Sequence, residues 1–472
     1  MDLAGIIAKI DSFIWGPPLM LLLVGTGLYL TIRTSFIQFR GFRHGIKALL
    51  GRFDKANDPG EISPFRALSA ALSATIGTGN IVGVAAAILM GGPGAVFWMW
   101  ITALVGMATK FGCCALAVHF RRIDETGEVH GGPMHYIEMG MGPSFKWLAV
   151  LFAAFTAIAS LGIGNMFQIN NVAAAVNTIL YGHNAQSSGT VNIIVGLLAA
   201  TIVAVVILGG IKRIANVASK IVPFMCAFYI LAGLFILLKN AGAIPHGLGL
   251  IFKYAFTAPE SVAGGLLGGV IQSGVARGLF SNEAGLGSAA MAHGAARTRE
   301  PIRQGMVAML GPFIDTIVVC TITALVIICT GAYETVSVKG KLTSAAFDMG
   351  IPGSGTVVSL AIIFFAFSTL VSWSYYGDRA VDYLFGKKAV TPYRWIYVGF
   401  IFLGSVIHLS VVIDFCDAMN GLMAVPNLIA LITLTPLLVS LIRDYMERIR
   451  VDDFVRSKSP PRLMEEGRGE GE

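Results

Sequence analysis

Two short stretches of this chain carry the same unusual grouping, Thr78-Gly79-Asn80-x-x-Gly83 and Phe280-Ser281-Asn282-x-x-Gly285. Each sits near the middle of an apolar run, and in each Asn precedes Gly by three. Gly is a poor helix former, and Thr, Ser and Asn side chains compete for nearby backbone groups. A helix interrupted there bares amides and carbonyls where no water reaches. Such backbone is tolerated only where it is buried in protein or lines a cavity. Bare amides at a half-helix N-terminus attract anions. The reading is a pair of discontinuous membrane helices whose broken centres form a ligand site. The alternative, that the glycines only let helices pack closely, accounts for the Gly but not for the adjoining Thr, Asn and Ser.

A third stretch places polar side chains at helical spacing. Thr369 and Trp373 are four apart and share a face, and Ser368 and Ser372 share the neighbouring one, about 100° away. Such hydroxyls either line a site or bond the carbonyls of their own helix. Asn165, Gln168 and Asn171 recur every third residue, as a site lining or as glue between helices. Ionisable residues inside apolar runs are functional candidates by default. Arg277 and Glu283 flank the second interruption, and Asp315 lies in the next run. They form a buried charge network or a gate. Lys110 can snorkel from its span to the interface, and no role is assigned to it.

The elements that must hold these residues are membrane helices. Of 472 residues, 55% are hydrophobic and 13% charged, where a soluble domain would carry about a quarter charged. Mean hydropathy is +0.73. Apolar runs of roughly 20 residues recur throughout, as in a polytopic helical membrane protein. Eleven spans are expected: 14–32, 66–90, 94–118, 147–178, 191–210, 221–238, 262–290, 305–331, 354–376, 394–412 and 417–442. Basic residues fall on alternate loops, for example Arg33, Arg40, Arg43, Lys47, Arg52, Lys55 and Arg66 after the first span. The other side holds only Lys9, Lys239, Lys253, Lys339 and Lys341. The positive-inside rule then places the N-terminus outside and the C-terminus in the cytoplasm, which needs an odd number of spans. This placement also argues against nucleic acid as the reason for the net charge of +7. The six cysteines lie in or beside apolar runs with no C-x-x-C pair, so neither a disulfide framework nor a zinc site is expected. No cleavable signal peptide is expected at the N-terminus.

The two interruptions are five spans apart and so cross in opposite directions. Matching interruptions in matching positions point to an inverted repeat of five helices, with one extra helix in front. The expected organisation is therefore all-α. It comprises an N-terminal helix and basic loop (1–60), a first repeat (61–240), a second repeat (241–445) and a disordered cytoplasmic tail (446–472). Stretches 246–256 and 341–349 are expected as small helices on the outer face.

Gly77-Thr-Gly-Asn-Ile-x-Gly83 through Gly91-Gly-Pro-Gly-Ala-x-Phe-Trp-Met-Trp100 resembles the alanine or glycine:cation symporter family. So do Arg277-Gly-x-Phe-Ser-Asn-Glu-Ala-Gly-x-Gly-Ser288 and Ser368-Thr-Leu-x-x-Trp-Ser-Tyr-Tyr-Gly377. The resemblance spans about residues 15 to 445. It implies a leucine-transporter-like fold and sodium-coupled, sometimes proton-coupled, uptake of alanine or glycine across the cell's inner (plasma) membrane. An amino acid's carboxylate would then rest on the amides around Thr78, Gly79 and Asn80. Its ammonium would meet carbonyls released from Gly278 through Phe280 and Ser281 to Asn282. Gln168, Thr369 and Trp373 would complete the pocket, Trp373 limiting side-chain size. Sodium, a hard cation, would take the Ser368 and Ser372 hydroxyls and carbonyls of residues 74–77, including Ala74 and Gly77.

Rival readings fail on motif. Gly77-x-Gly79-x-x-x-Gly83 misses the dinucleotide fingerprint by one position, there is no phosphate-loop Gly-Lys-Ser/Thr, and no H-E-x-x-H occurs. No organic cofactor and no enzymatic constellation are expected. An uncoupled exchanger or passive channel of the same architecture is the alternative. Alanine against glycine, sodium against proton, and oligomeric state stay open.

Overall fold

The computed structural model describes residues 3–55, 57–182, 187–257, 267–407 and 410–458. Nearly all of them are helical. Within them the strands are two residues long each, Arg122–Ile123 paired antiparallel with Val129–His130. Among the described residues, eight helices are long and apolar enough to cross a membrane: Ala4–Arg33, Ala95–His119, Pro143–Tyr181, Gly189–Ile207, Gly210–Lys239, Pro301–Cys329, Gly355–Phe385 and Val411–Ile449. The pair Pro64–Thr75 and Thr78–Gly91, bent by 63°, makes a ninth. The chain is a multi-pass membrane protein.

Two of the eleven expected spans do not meet that standard. The stretch expected at 262–290 is helix Leu267–Asn282 followed, after an interruption, by Ser288–Gly294. Its residues up to 266 lie outside the described ones. The stretch expected at 394–412 is Val390–Val406, whose 17 residues reach about 26 Å against a hydrocarbon core of about 30 Å. At the N-terminus, helix Leu3–Ile14 precedes Pro17–Arg33, with Gly16 between them. At the other end the helix that begins at Ala424 continues to Lys458. The part of the expected disordered tail up to Lys458 is therefore helix, and the rest lies outside the described residues. Short helices Ile244–Phe256 and Lys339–Gly350 stand where small outer helices were expected.

Burial sorts the helices. Gly189–Ile207 shows Ile194, Leu197, Leu198, Ile202 and Val205 on its surface, as a lipid-facing helix must. Ala95–His119 is enclosed, packed against Leu267–Asn282, Pro301–Ala308 and Pro17–Arg33. Its small residues allow this: a Cβ on Gly106 would collide with Ala284, and one on Gly112 would come within 3.2 Å of Leu438. Helix Gly355–Phe385 packs along both Pro64–Thr75 and the helix through Gln168. The interruptions thus lie inside the bundle.

Candidate functional site

The first interruption begins where Pro64–Thr75 ends. That helix is started by Ser63, whose hydroxyl accepts the Arg66 amide (3.3 Å), with Pro64 at its first position. Ile76 and Gly77 are extended, Thr78–Asn80 form one 3-10 turn, and Val82–Gly91 resumes the helix. The Asn80 side chain holds the turn: its Oδ1 accepts the Gly77 amide at 2.9 Å. The carbonyls of Asn80 and Ile81 accept the hydroxyls of Thr323 (2.9 Å) and Thr343 (3.0 Å). The amides of Thr78 and Gly79 donate no hydrogen bond among the described residues.

The second interruption falls later than the sequence suggests. The helix runs unbroken through Gly278 and Asn282, and the chain turns at Glu283, Gly285 and Gly287, all with positive φ. Gly278 is no part of the break. Its missing side chain lets the helix lie against Met99 and Thr102. At this helix end the carbonyls of Phe280 and Ser281 receive no backbone donor among the described residues. The Ala284 amide, which would pair with Phe280, is taken by Asn282 Oδ1 at 3.0 Å.

Asp315 ties the two breaks together. It lies in a π-helical turn, Phe313–Cys320, directly after Pro312, and such turns recur at functional positions. Asn80 of the first break donates to Asp315 Oδ1 at 2.7 Å. Ser281 of the second donates to Oδ2 at 2.9 Å, and Thr316 donates to the same oxygen at 2.7 Å. All of this is buried, with Asn80 and Asp315 at 0% exposure. The breaks also touch: a Cβ on Gly79 would stand 3.4 Å from Ser281 Cα and 3.5 Å from the Phe280 ring.

Helix Gly355–Phe385 forms the next wall. Ser368 and Ser73 bond each other's carbonyls, Ser73 Oγ to Ser368 O at 2.8 Å and Ser368 Oγ to Ser73 O at 3.2 Å. This fixes Ser368 beside Ala74 at the end of the first half-helix. The Ser372 hydroxyl, one turn on, is buried with no partner among the described residues. The Thr369 hydroxyl donates to Phe365 O at 3.0 Å and stands 3.1 Å from where a Gly77 Cβ would be. Gln168 Oε1 is 3.9 Å from that same point, buried and without a partner among the described residues. A second π-helical turn, Gly162–Met166, immediately precedes Gln168. Trp373 is packed over Gly164 of that turn and edge-on to Tyr376, ring centroids 5.5 Å apart.

The sodium:alanine symporter family matches residues 1–457. A relative from Methanococcus maripaludis, the sodium/alanine symporter AgcS, is 46% identical over 446 residues, 93% of this chain and 96% of its own. The chain belongs to the sodium:alanine symporter family. A probable sodium/glutamine symporter, GlnT of Bacillus subtilis, is 36% identical over 445 residues, 93% of this chain and 90% of its own. Among solved structures, MhsT in complex with L-phenylalanine superposes with a TM-score of 0.56 over 81% of this chain and 98% of that one, at 12% identity. The fold is leucine-transporter-like.

Two charged residues of this family member sit otherwise than expected. Lys110 does not snorkel. It is 2% exposed, and its Nζ donates to the Asn282 carbonyl at 2.9 Å. It also faces Glu283, which accepts Ser288 Oγ at 2.6 Å and lies beside the Trp373 indole. Arg277 does not join Glu283 and Asp315. Its electrostatic neighbours are Asp11 and Asp417, where helix Leu3–Ile14 meets Ser410–Leu422. The cation of the buried network is Lys110. Its placement inside an apolar span was the available signal. Asn171 bonds its own helix, donating to Phe167 O at 2.7 Å, and Asn165 donates to Tyr397 O at 2.7 Å.

Proposed function

We propose that this chain imports alanine and other small neutral amino acids, glycine included, together with sodium. It does so by alternating access around the two breaks, built as inverted repeats 61–240 and 241–445. The observation that carries the reading is the Asp315 carboxylate receiving Asn80 from one break and Ser281 from the other. It fixes the bare amides of Thr78 and Gly79 next to the bare carbonyls of Phe280 and Ser281. That is donor beside acceptor, the pattern a zwitterion needs. The carboxylate rests on the first set and the ammonium on the second, with Gln168 Oε1 as a further acceptor. Thr369 and Trp373 bound the side chain.

Sodium enters as co-substrate. Among the described residues the Ala74 carbonyl receives no backbone donor, and the Ser372 hydroxyl has no partner. With Ser368 and Gly77 they offer oxygen to a hard cation between the first half-helix and Gly355–Phe385. One charge crossing 100 mV is worth about 2.3 kcal/mol, roughly a 50-fold accumulation. In this reading the N-terminus lies outside and the C-terminus in the cytoplasm, as the positive-inside pattern supports.

The test is radiolabelled alanine uptake into proteoliposomes, with and without an inward sodium gradient, against glycine, serine, glutamine and leucine as competitors. Uptake is expected to follow the sodium gradient and to be displaced best by glycine and serine. Equal uptake without a gradient would instead support an uncoupled exchanger. A proton gradient that replaced sodium would move the coupling to H+.

A further inference from the structure

On the strongly basic side of the molecule, a cavity of about 650 Å³ opens between helix Phe42–Leu49 and the far part of the last helix. Its lining is cationic beyond what its own acids offset. Glu300 is already engaged by Arg448 in a two-pronged pair at 2.7 and 3.0 Å. Arg303 forms no ion pair among the described residues: it donates to Tyr445 Oη at 3.2 Å and to the Phe53 carbonyl at 3.4 Å, and lies 4.9 Å over the Phe53 ring. Lys47, Arg52 and Lys55 also line the cavity, and none forms an ion pair among the described residues. Asp54 is the acid left to face them.

The same segment carries apolar side chains left exposed among the described residues. Leu50 is 72% exposed and Phe39 61%, with Ile46 and Phe36 also exposed. Leu50 and Ile46 are four apart on the face adjoining Lys47. A short helix with an unpartnered apolar side and a basic side lies in a membrane interface. Basic pockets at that depth take anionic headgroups. We propose that this cavity seats the phosphate-bearing headgroup of an anionic phospholipid, its acyl chains lying against Ile46 and Leu50. A free anion would use the positive charge but would leave the apolar side without purpose.

The bound lipid braces the transport site. Gly45 has no side chain because helix Phe42–Leu49 rests on the backbone of Met306. Met306 lies in Pro301–Ala308, the first part of the span that carries Asp315. The headgroup would bridge Lys47 and Arg52 to Arg303 and so tie the interfacial helix to that span.

The experiment uses the full chain in detergent with phosphatidylglycerol, phosphatidylcholine or inorganic phosphate added, read by thermal shift and by lipid retention in native mass spectrometry. Phosphatidylglycerol is expected to stabilise and to be retained, and the other two are not. Each basic residue near such a headgroup is worth about fivefold in affinity. The triple variant Lys47→Gln, Arg52→Gln, Lys55→Gln should therefore bind phosphatidylglycerol about 100-fold more weakly. Arg43→Gln, Lys220→Gln, Lys388→Gln removes equal charge from exposed positions outside the cavity and should leave binding intact. Equal loss in both triple variants would overturn the proposal in favour of diffuse charge. An equal shift with inorganic phosphate would overturn it in favour of a soluble anion.

Discussion

At the first break the axis turns by 63° within one 3-10 turn, and the Asn80 side chain folds back onto the Gly77 amide. At the second the helix runs straight to Asn282 and then reverses through left-handed residues, with a lysine ammonium on the Asn282 carbonyl. The sequences Thr-Gly-Asn-x-x-Gly and Phe-Ser-Asn-x-x-Gly look equivalent, and their asparagines do different work. Asn80 reaches across to Asp315, whereas Asn282 caps the Ala284 amide and meets Thr316 at 3.2 Å. The first break leaves donors bare. The second leaves acceptors bare and sets the Lys110 ammonium on the Asn282 carbonyl, facing Glu283. The proposed zwitterion site draws its unlike ends from this asymmetry.

The comparison breaks most completely at the residue both halves share. Asp315→Ala removes acceptors from Asn80, Ser281 and Thr316 at once. Each hydrogen bond to a charged group is worth about 1.5–3 kcal/mol, so alanine uptake should fall by about 100-fold or more. The check is initial uptake rates at matched protein incorporation. Undiminished uptake would separate the breaks from transport.

Lys110→Met tests the second break alone. It leaves Glu283 and Asp315 buried without their cation, a loss of about 3–5 kcal/mol where a buried charge is stranded. A lower melting temperature and uptake down by about tenfold are expected. Adding Glu283→Gln should recover part of the melting temperature. No recovery would mean that Lys110 serves the Asn282 carbonyl rather than the carboxylate.

Ser368→Ala with Ser372→Ala tests the first break's side. The sodium concentration for half-maximal uptake should rise about tenfold, with alanine affinity little changed at saturating sodium, since each lost oxygen contributes about 1 kcal/mol. Unchanged sodium dependence would remove these hydroxyls from the ion's path. The smallest effect on alanine itself is expected from Trp373→Ala, which should admit leucine and glutamine as competitors while slowing alanine only several-fold. Competition still confined to small side chains would assign Trp373 to packing over Gly164.

The interruptions and their partner hydroxyls were legible because residue chemistry marks them: Gly beside Thr, Ser or Asn inside an apolar run has few other uses. The exact start of the second break was not. Asn282 can end a helix or sit within one, and the deciding features, positive φ at Glu283, Gly285 and Gly287, depend on tertiary contacts. Lys110 was misread for a related reason. A lysine within a turn or two of an interface can reach water or turn inward, and spacing alone does not distinguish them. Arg277 belonged with Glu283 by proximity in sequence, yet the helix between them points the two side chains to different neighbours. The helix Leu3–Ile14 escaped notice because its apolar run is short and carries Lys9 and Asp11.

Thr343, on the small helix Lys339–Gly350, reaches the Ile81 carbonyl just past the first turn. Any motion that lifts this cover from the bundle must let go of that oxygen. Among the described residues the Ile81 carbonyl would then keep a single donor, the Ala85 amide at 3.3 Å. In the proposed transport cycle one hydroxyl thus couples the seating of Lys339–Gly350 to the backbone just past the first turn.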